Sequence, residues 1–475
     1  MAKSKNKIQI NFIGEAANDV TGSCVYIQTS HRKILLECGL YQSCGSTLES
    51  YKINNKHFDF KPKDIDYVFL CHCHADHIAL TPKLYKESCD AHIIAPSGTK
   101  SISEILLRDS AYIMDGDAKE LSDKFQRSYA PIYSEDDVDR CLKYYEEYPI
   151  GDIIQLDDYI KFRFVPSGHI LNSAQLELWI TEGNVTKKIL YTSDLGNTHI
   201  QKYYTNKFEP IKKCDILIGE TTYARETRIA NQKMRNKDLE KLKTVIRQTC
   251  VEDGARVLIP AFSNDRCQNM LTYIYDIFNG DEEFDVPVLI DSPMSIRICN
   301  AYSELLQGEE LDKWRKVLAW KNVHFVQDAN ESREWRDSNQ PVVVLASSGM
   351  MVKGRSTAWA HNMLPHERDR IVFCGFAAEN SLASIIKQGA QKTITISGHR
   401  VKNKCQVTNL MSFSSHMQQD SLLNYYSSVE CERVILIHGS IDGKIEFAKP
   451  LQEEISKKNN TSKVVVATKG YKLTL

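Results

Sequence analysis

The sequence predicts an α/β protein in which a β-rich domain is interrupted by an inserted domain with a mostly parallel sheet. Three observations indicate this fold class. Short strand-like segments crowd residues 1–70 and return over residues 161–220. From about residue 230, apolar strands alternate with helices, which is typical of a parallel sheet with crossover helices. Short strand-like segments then return near the end of the chain, in TITIS, RVILIHGS and KVVVAT.

The β-rich domain begins with three short segments separated by Gly, Asn and Ser turns: IQINFI, SCVYIQ and KILLEC. Residues 98–147 are charged, and the segment ILLRDSAYIMDGDAKELSDKF predicts a helix. Strands return as KFRFVPS, AQLELWI, KKILYTS and CDILIGE. We therefore assign residues 1–225 to the first part of this domain.

The inserted α/β domain is expected at residues 226–400. Predicted helices at 238–252, 265–278 and across 295–319 alternate with four strands: RVLIPAF, VPVLIDS, VHFV and PVVVLAS. These strands are continuous apolar runs, as expected where both faces of a sheet are covered. Residues 401–475 then return to the first domain and complete it.

The composition is that of an ordinary globular protein, with 42% hydrophobic and 25% charged residues among 475. No run of about 18 apolar residues occurs, and the N-terminus lacks the apolar segment of a signal peptide, so we expect a cytoplasmic protein. The 14 cysteines have no repeating spacing, which favours reduced thiols over a disulfide framework. The net charge of −1 argues against a nonspecific polycation but leaves a local basic groove open.

Metal-binding chemistry is concentrated in LCHCHADHIAL, residues 70–80, at the end of a predicted buried strand. On a strand, His72 and His74 would face the same side, and Asp76 and His77 would follow where the chain turns. Catalytic zinc prefers histidine and carboxylate ligands. A hydrogen-bonded histidine cluster is the alternative. Because the pattern H-x-H-x-D-H supplies only suitable ligand types, we predict a metal site.

Three further strand-like segments also end at a residue that binds metals. FRFVPSGHILNSA contains His169, ILYTSDLGN contains Asp194, and VILIHGS contains His438. Several strands that end in this way predict one shared site, in which Asp194 is the natural bridging ligand because each carboxylate oxygen can bind one metal. Cys71 and Cys73 are rival ligands, but no C-x-x-C partner lies nearby. We expect both to be buried as small hydrophobic residues.

Together these motifs resemble the metallo-β-lactamase fold. Five further segments are similar to those of the β-CASP nucleases: GETTYARE, PAFSNDRCQNML, LASSGMMVKGR, FCGFAAENSLA and MSFSSHMQQD. That family includes ribonuclease J and the nuclease subunit of the mRNA cleavage and polyadenylation machinery. The resemblance extends in order from about residue 8 to 470. It implies a metallo-β-lactamase αββα sandwich with an inserted α/β β-CASP domain.

The resemblance implies two Zn²⁺ ions, with manganese or iron as alternatives for sites of this kind. The first ion would be held by His72, His74, His169 and Asp194. The second would be held by Asp76, His77, Asp194 and His438. The position of His438 is His in the RNA-processing branch and typically Val in the DNA-repair branch, which favours RNA as the substrate.

The resemblance also assigns supporting and catalytic roles. Asp76 would orient the attacking water. Glu220 and His416 match the acid/base positions of the family, with His416 as the proton donor to the leaving 3′-oxygen. On the residues alone, His416 would belong to a Ser-lined helix N-terminus. Glu37, in LLECGLY, replaces the usual Asp of the family, and either supports a ligating histidine or caps a turn.

RNA phosphates are expected to contact two segments of the inserted domain. An arginine at the start of a helix can grip a phosphate through paired hydrogen bonds, and a loop after a strand can offer backbone N–H groups. On this basis the predicted phosphate-binding residues are Arg266, Ser347, Ser348 and Gly349. A solvated arginine and a plain turn are the alternatives that the residues alone leave open.

The predicted function is a metal-dependent ribonuclease that hydrolyses RNA phosphodiester bonds by two-metal catalysis, in RNA processing or decay. It would act as an endonuclease, with exonuclease trimming as an additional mode. Single-stranded RNA is the expected partner, and a homodimer or an RNA-processing complex the expected assembly, with no membrane contact. One alternative is a small-molecule two-zinc hydrolase, such as a thioesterase or lactonase, although a small substrate needs no inserted domain. Another is a noncatalytic RNA-binding subunit, which would have lost metal ligands.

Overall fold

The protein is described here by a computed structural model that covers residues 7–42, 46–200, 202–225, 230–352, 354–375, 377, 381–458 and 460–475. Residues 226, 353, 376 and 378–380, within three of the motifs quoted above, lie outside this description. The chain forms two compact units. The first unit comprises residues up to Thr198, Thr205–Ile229 and Ser415–Leu475, and the second comprises His199–Tyr204 and Ala230–Ser414.

A seven-stranded sheet forms one layer of the first unit. Its strands are β1 (Gln9–Phe12), β2 (Val25–Gln28), β3 (Lys33–Leu36), β4 (Tyr67–Phe69), β5 (His92–Pro96), β6 (Tyr145–Tyr148) and β22 (Lys472–Thr474). Their spatial order is β22-β1-β2-β3-β4-β5-β6. Pairing is antiparallel from β22 to β3 and parallel from β3 to β6.

A second seven-stranded sheet forms the next layer. Its strands are β7 (Ile153–Gln155), β8 (Ile160–Pro166), β9 (Ala174–Glu182), β10 (Val185–Tyr191), β11 (Ile216–Glu220), β20 (Arg433–Ile437) and β21 (Lys463–Val466). Their spatial order is β21-β20-β11-β10-β9-β8-β7. The strands β10, β11 and β20 are parallel, and β9 is antiparallel to both β8 and β10. The carboxyl ends of β8, β10, β11 and β20 therefore lie along one edge of this sheet.

The two sheets pack face to face through alternate apolar side chains. Ile27 and Phe69 of the first sheet and Phe162, Leu176 and Ile218 of the second belong to one buried core. The helices beside the first sheet are α1 (Thr47–Asn54), α2 (Ala75–Ile78), α3 (Thr81–Lys86), α4 (Thr99–Phe125) and α5 (Glu135–Leu142). Helices α13 (Gln419–Ser428) and α14 (Ile441–Lys457) pack on the second sheet. This αββα arrangement is the predicted sandwich.

The second unit is built on a six-stranded parallel sheet. Its strands are β12 (Arg256–Pro260), β13 (Val288–Asp291), β14 (Val323–Phe325), β15 (Val342–Ala346), β16 (Arg370–Phe373) and β19 (Gln406–Asn409), and β17 (Thr393–Ile396) and β18 (His399–Lys402) form a hairpin. The spatial order of the sheet is β14-β13-β15-β12-β16-β19. Its helices are α6 (Gln232–Ile246), α7 (Arg266–Phe278), α8 (Pro293–Leu305), α9 (Gly308–Leu318), α10 (Ala329–Ser338), α11 (Arg355–Met363) and α12 (Leu382–Gln388). The predicted helix at 238–252 starts earlier than expected, and its last turn, Arg247–Glu252, is a π-helix.

Two expectations from the composition agree with this fold. The cysteines of the described residues are all free, and all but Cys24 are buried. Burial rather than cross-linking therefore accounts for them. Within the described part of the chain, no helix is long and apolar enough to cross a membrane.

A buried ion pair holds the amino-terminal end of β12 in the second unit. Arg256 is 1% exposed and Asp369 is 4% exposed. The Arg256 Nε donates to Asp369 Oδ2 at 3.0 Å, and the Arg256 backbone N–H donates to Oδ1 at 3.0 Å. The Arg256 Nη1 also donates to Asn362 Oδ1 at 2.6 Å. The buried guanidinium of Arg256 is tolerated because the Asp369 carboxylate compensates its charge.

Replacing Asp369 by Ala should lower the free energy of unfolding by about 3–5 kcal/mol, because it leaves a buried, uncompensated guanidinium. The measurement is urea denaturation followed by circular dichroism. The control is Glu367→Ala, which removes an exposed carboxylate that pairs with Lys404 at 2.9 Å. Little change is expected for that variant. Equal losses in the two variants would show that the buried pair has no special role.

Candidate metal centre

The predicted metal-binding and acid/base residues come together in the first unit. Most of them follow the carboxyl end of a strand: β4, β8, β10, β11 or β20. Because the last four of these ends share one edge of the second sheet, the loops that follow them converge there. Together with the loop after β4 of the first sheet, they bring together the side chains of His72, His74, Asp76, His77, His169, Asp194, Glu220, His416 and His438.

Asp194 lies at the middle of this cluster, with imidazoles beside each of its carboxylate oxygens. Its Oδ2 lies 3.5 Å from His169 Nε2 and 3.7 Å from His72 Nε2. Its Oδ1 lies 3.4 Å from His77 Nε2 and 3.6 Å from His438 Nδ1. These separations are longer than hydrogen bonds. They are close to the roughly 3.3 Å expected between two ligands of one tetrahedral ion.

The side chains divide into groups that can each surround an ion. One group comprises His72, His74, His169 and Asp194, whose ligand atoms all lie within 4.8 Å of one another. Another comprises Asp76, His77 and His438. In this second group, Asp76 Oδ2 lies 3.5 Å from the Nε2 atoms of both His77 and His438. Asp194 belongs to the first group and reaches the second with its other oxygen.

Several polar atoms at this position are buried without a hydrogen-bond partner among the described residues. They are the Nε2 atoms of His72, His77 and His438 and the Oδ1 atom of Asp194. Buried polar atoms are nearly always hydrogen-bonded, so four such atoms facing one another need an explanation. Nitrogen and oxygen donors of this kind are the ligands of a divalent cation. The residues therefore fit a metal centre.

Glu37 fixes the orientation of the histidines. It is fully buried and accepts hydrogen bonds from His77 Nδ1 at 2.5 Å, from the Tyr191 hydroxyl at 2.5 Å and from Ser193 Oγ at 2.8 Å. His72 Nδ1 lies 3.1 Å from the same Ser193 hydroxyl. With their Nδ1 atoms engaged in this way, His77 and His72 present Nε2 to the centre, as metal-ligating histidines do.

Burial and charge act strongly on the pKa values here. Burial, and then the neighbouring His77, hold the pKa of His72 well below its usual range. Burial lowers the pKa of His77, but the carboxylates of Glu37, Asp194 and Asp76 raise that pKa to well above its usual range. Burial raises the pKa of Asp194, but the His438 and His77 imidazoles hold it well below its usual range. Buried carboxylates at this site thus depend on nearby positive charge, which a divalent ion also supplies.

Glu220 and His416 lie beside the metal-binding groups. Glu220 accepts hydrogen bonds from the backbone N–H groups of Leu195 at 3.2 Å and Thr222 at 2.7 Å. His416 Nδ1 lies 3.8 Å from Glu220 Oε1 and 3.9 Å from Asp194 Oδ2. At these distances the interaction between His416 and the two carboxylates is electrostatic rather than a hydrogen bond.

Three family models match the chain in the order of its motifs. The "Metallo-beta-lactamase superfamily" model matches residues 17–152, the "Beta-Casp domain" model residues 267–386, and the "Zn-dependent metallo-hydrolase RNA specificity domain" model residues 400–462. The chain therefore contains a metallo-β-lactamase domain, a β-CASP domain and an RNA specificity domain. The family and the fold class that the motifs indicated are thereby confirmed.

Curated relatives of this β-CASP protein align along nearly its whole length. "Ribonuclease TTHA0252" of Thermus thermophilus is 28% identical over 92% of this chain and 94% of its own. "Transcription termination factor FttA" of Methanocaldococcus jannaschii is 27% identical over 95% of this chain and 70% of its own. "Integrator complex subunit 11" of Danio rerio is 25% identical over 93% and 71%. A crystal structure of a protein of unknown function from Enterococcus faecalis V583 has a similar fold, with a TM-score of 0.53 and 12% identity over 99% of this chain and 100% of that one.

The expectation that His72 and His74 lie on a strand is wrong. The strand β4 ends at Phe69, His72 lies in the following loop, and His74 is the residue before α2. The two histidines converge because the chain turns into α2, not because residues alternate along a strand. The interleaved Cys71 and Cys73 are 0% and 2% exposed, as predicted for small apolar residues.

The predicted phosphate-binding residues belong to the second unit, at the carboxyl ends of β12 and β15. Arg266 begins α7, and its guanidinium donates a hydrogen bond to the carbonyl oxygen of Cys374. The Ser347 hydroxyl lies 2.8 Å from that of Ser292, and Ser356 Oγ donates to the Ser348 carbonyl oxygen at 2.8 Å. Phosphate binding by Arg266, Ser347, Ser348 and Gly349 stays a prediction.

Sequence reasoning missed the residues that support the centre. Tyr191 and Ser193 donate to Glu37, and the Thr222 hydroxyl lies 3.0 Å from His438 Nδ1. The available signal was the position of these polar groups beside predicted ligands in the segments YTSDLG and GETTY. Gly196 was missed as well. A Cβ atom there would lie 1.8 Å from the Gly168 carbonyl oxygen and 2.7 Å from the His169 backbone nitrogen.

Replacing Gly196 by Ala should displace the backbone that carries His169, because the two segments have no room for a methyl group. We expect this β-CASP protein to lose most of its bound metal, measured by elemental analysis after dialysis. The matched control is Gly116→Ala, where a Cβ meets no atom within 4 Å. That variant should keep wild-type metal content. Full metal retention by the Gly196 variant would contradict the close packing of the two loops.

Proposed function

We propose that this β-CASP protein is a zinc-dependent ribonuclease that hydrolyses RNA phosphodiester bonds. The observation that carries the proposal is the Asp194 carboxylate, which has a separate group of imidazoles beside each oxygen. A centre of this type suits in-line displacement at phosphorus. The relatives whose names specify a ribonuclease and a transcription termination factor, and the match to an RNA specificity domain, support RNA as the substrate.

Two zinc ions would fit the divided cluster. The first would be held by His72, His74, His169 and Asp194, and the second by Asp76, His77, Asp194 and His438. Imidazole and carboxylate ligands of this number suit Zn²⁺, while Mn²⁺ or iron are the alternatives for an N/O site. Glu37 would act through His77 by holding its Nδ1–H.

When bound, the metal ions would supply Lewis-acid stabilisation of the phosphodiester and a water that ionises near neutral pH. The Asp76 side chain is 18% exposed, so its carboxylate can accept a hydrogen bond from the attacking water and aim it at phosphorus. The bond from phosphorus to the 3′-oxygen then breaks. The expected products are a 5′-phosphate and a 3′-hydroxyl.

His416 would donate the proton that the leaving 3′-oxygen needs. Its side chain is 23% exposed, more than that of the buried His72, His169 and His438, so it can reach a substrate. The carboxylates of Glu220 and Asp194 lie 3.8 and 3.9 Å from its Nδ1. Glu220 is itself held by two backbone N–H groups, so it positions rather than reacts.

The same residues bear on the alternatives. All seven predicted metal ligands are present and close together, which disfavours a noncatalytic RNA-binding subunit. The RNA specificity domain disfavours a small-molecule hydrolase. We also propose that the enzyme works in the cytoplasm as a homodimer or within an RNA-processing complex, since one relative is named as a subunit of the Integrator complex.

Asp76→Ala should abolish cleavage of end-labelled single-stranded RNA, because it removes a metal ligand and the group that orients the water. Circular dichroism should remain that of the wild type. A chelator added to the wild type should have the same effect, and matching DNA should be cut poorly or not at all. The control is Asp136→Ala, an exposed carboxylate on α5. Wild-type rates in the Asp76 variant would end this mechanism.

His416→Ala should slow cleavage by about 10²- to 10⁴-fold, the usual contribution of a positioned general acid. The loss should largely disappear on RNA with a sulfur in place of the scissile 3′-oxygen, because a thiolate leaves without a proton. The measurement is the single-turnover rate on both substrates. Asp76→Ala is the control and should be inactive on both. A His416 variant that is equally slow on the sulfur substrate would exclude a role in protonating the leaving group.

A further inference from the structure

A cavity of about 380 Å³ lies on the outer face of the second sheet of the first unit. It is lined by side chains of β8, β9 and β10 and by residues 209–213. It shares no lining residue with the metal centre. Its volume is in the range of sites that hold small ligands or parts of larger ones.

The floor of the cavity holds more positive than negative charge. Glu177 is fully buried, and its Oε2 accepts a hydrogen bond from Arg163 Nε at 2.6 Å. Its Oε1 forms an ion pair with Lys188. The side chains of Arg163 and Lys188 remain 35% and 22% exposed. One buried carboxylate thus balances only one of two cations that reach the cavity.

The rim adds further cations. Lys212 and Lys213 line the cavity together with one more carboxylate, Glu209. The four cations and two carboxylates of the lining give it a net charge of +2, whereas the whole chain carries −1. Lys213 pairs with Glu430 at 2.7 Å. Lys212 is exposed and has no ion-pair partner among the described residues.

An aromatic ring between two lysines extends the cationic surface beyond the cavity. Lys161 on β8 and Lys188 on β10 both pair in register with Trp179 on β9. The ammonium groups lie 4.9 and 5.0 Å from the Trp179 ring centroid. The Trp179 ring is partly exposed, and Lys161 has no ion-pair partner within the described ranges. We call the cavity and the row Lys161–Trp179–Lys188 the outer-sheet surface.

We propose that the outer-sheet surface is a second RNA-binding site, which holds phosphates and bases of a single strand outside the metal centre. This inference rests on the proposed function, since it assigns RNA as the occupant. Charge complementarity selects a polyanion. An aromatic side chain beside cations is the combination with which proteins hold single strands, because bases stack while lysines neutralise phosphates. Lys161 and Lys212 are the cations available for phosphate, because neither is engaged with a carboxylate.

The test is the double variant Lys161→Glu/Lys212→Glu of the full chain. Binding to a fluorescein-labelled single-stranded RNA of roughly 20 nucleotides is followed by anisotropy, with chelator present and over a range of salt concentrations. Loss of two phosphate contacts should make the slope of log K against log[salt] shallower by roughly 1.4, since each contact on a single strand contributes about 0.7. Affinity at low salt should fall about tenfold or more.

The matched control is Lys52→Glu/Lys143→Glu, which makes the same charge change at two exposed lysines beside the first sheet. Its salt slope should equal that of the wild type. Trp179→Ala should weaken binding about 5- to 100-fold, and Trp179→Phe should keep most of the affinity. If the two double variants had equal RNA affinities and equal salt slopes, the lysines of the outer-sheet surface would be ordinary solvated side chains, and the proposal would be overturned. Displacement of the labelled RNA by AMP or inorganic phosphate at equal concentration would also overturn it, in favour of a small-phosphate site.

Cleavage assays separate this inference from the proposed function. The Lys161/Lys212 variant should cut a trinucleotide at the wild-type rate and raise KM only for the long RNA, because the metal centre is untouched. If the wild type cuts no RNA, the proposed function fails, while the binding measurements still decide the outer-sheet surface. A variant that loses activity on the trinucleotide as well would contradict a site separate from the metal centre.

Discussion

The arrangement of the metal centre depends on the buried carboxylate of Asp194, which has imidazoles beside both of its oxygens. Burial raises the pKa of this carboxyl, and the His438 and His77 imidazoles nevertheless hold it well below its usual range. Each oxygen faces a different pair of histidines, so the Asp194 side chain joins its own segment to three others that are far apart in sequence. A divalent cation on each side satisfies the same requirement with the same donors. The need to compensate this charge explains why so many polar side chains lie at one edge of an otherwise apolar sandwich.

The backbone at this edge departs from regular structure. Glu37, Ser193 and His438 have φ values of 62°, 48° and 53°, a region that non-glycine residues occupy at a cost of about 1–3 kcal/mol each. Each of them contacts a residue of the cluster: Glu37 contacts His77, Ser193 contacts His72, and His438 contacts Asp76. Gly39 and Gly196 let the loops approach more closely than a Cβ atom allows. Strained backbone and glycines thus accompany the close arrangement of the imidazole and carboxylate groups. The apolar cores on the two faces of the second sheet support this arrangement.

The second unit has its own core around the parallel sheet and also includes residues His199–Tyr204. Within it, Lys202 pairs with Asp265 at 2.9 Å, and the Tyr204 hydroxyl lies 2.8 Å from that of Thr272. This segment begins five residues after Asp194, and the main part of the unit ends two residues before His416. The chain therefore passes between the units close in sequence to two residues of the metal centre. The metal-centre residues belong to the first unit, and Arg266, a predicted phosphate-binding residue, belongs to the second.

The sequence by itself determined the residue types at the centre, the strand ends that carry them and the order of the β and α segments. Those features are local, because ligand chemistry and strand periodicity are legible within about ten residues. It did not determine that His72 and His74 lie beyond the strand, that Tyr191 and Ser193 hold Glu37, or that Lys161, Trp179 and Lys188 lie side by side. Tertiary structure decided these contacts, because they join residues brought together only by sheet register and by turns whose backbone is strained. Which donors exist is a property of the chain, whereas which donors meet depends on how the strands pair.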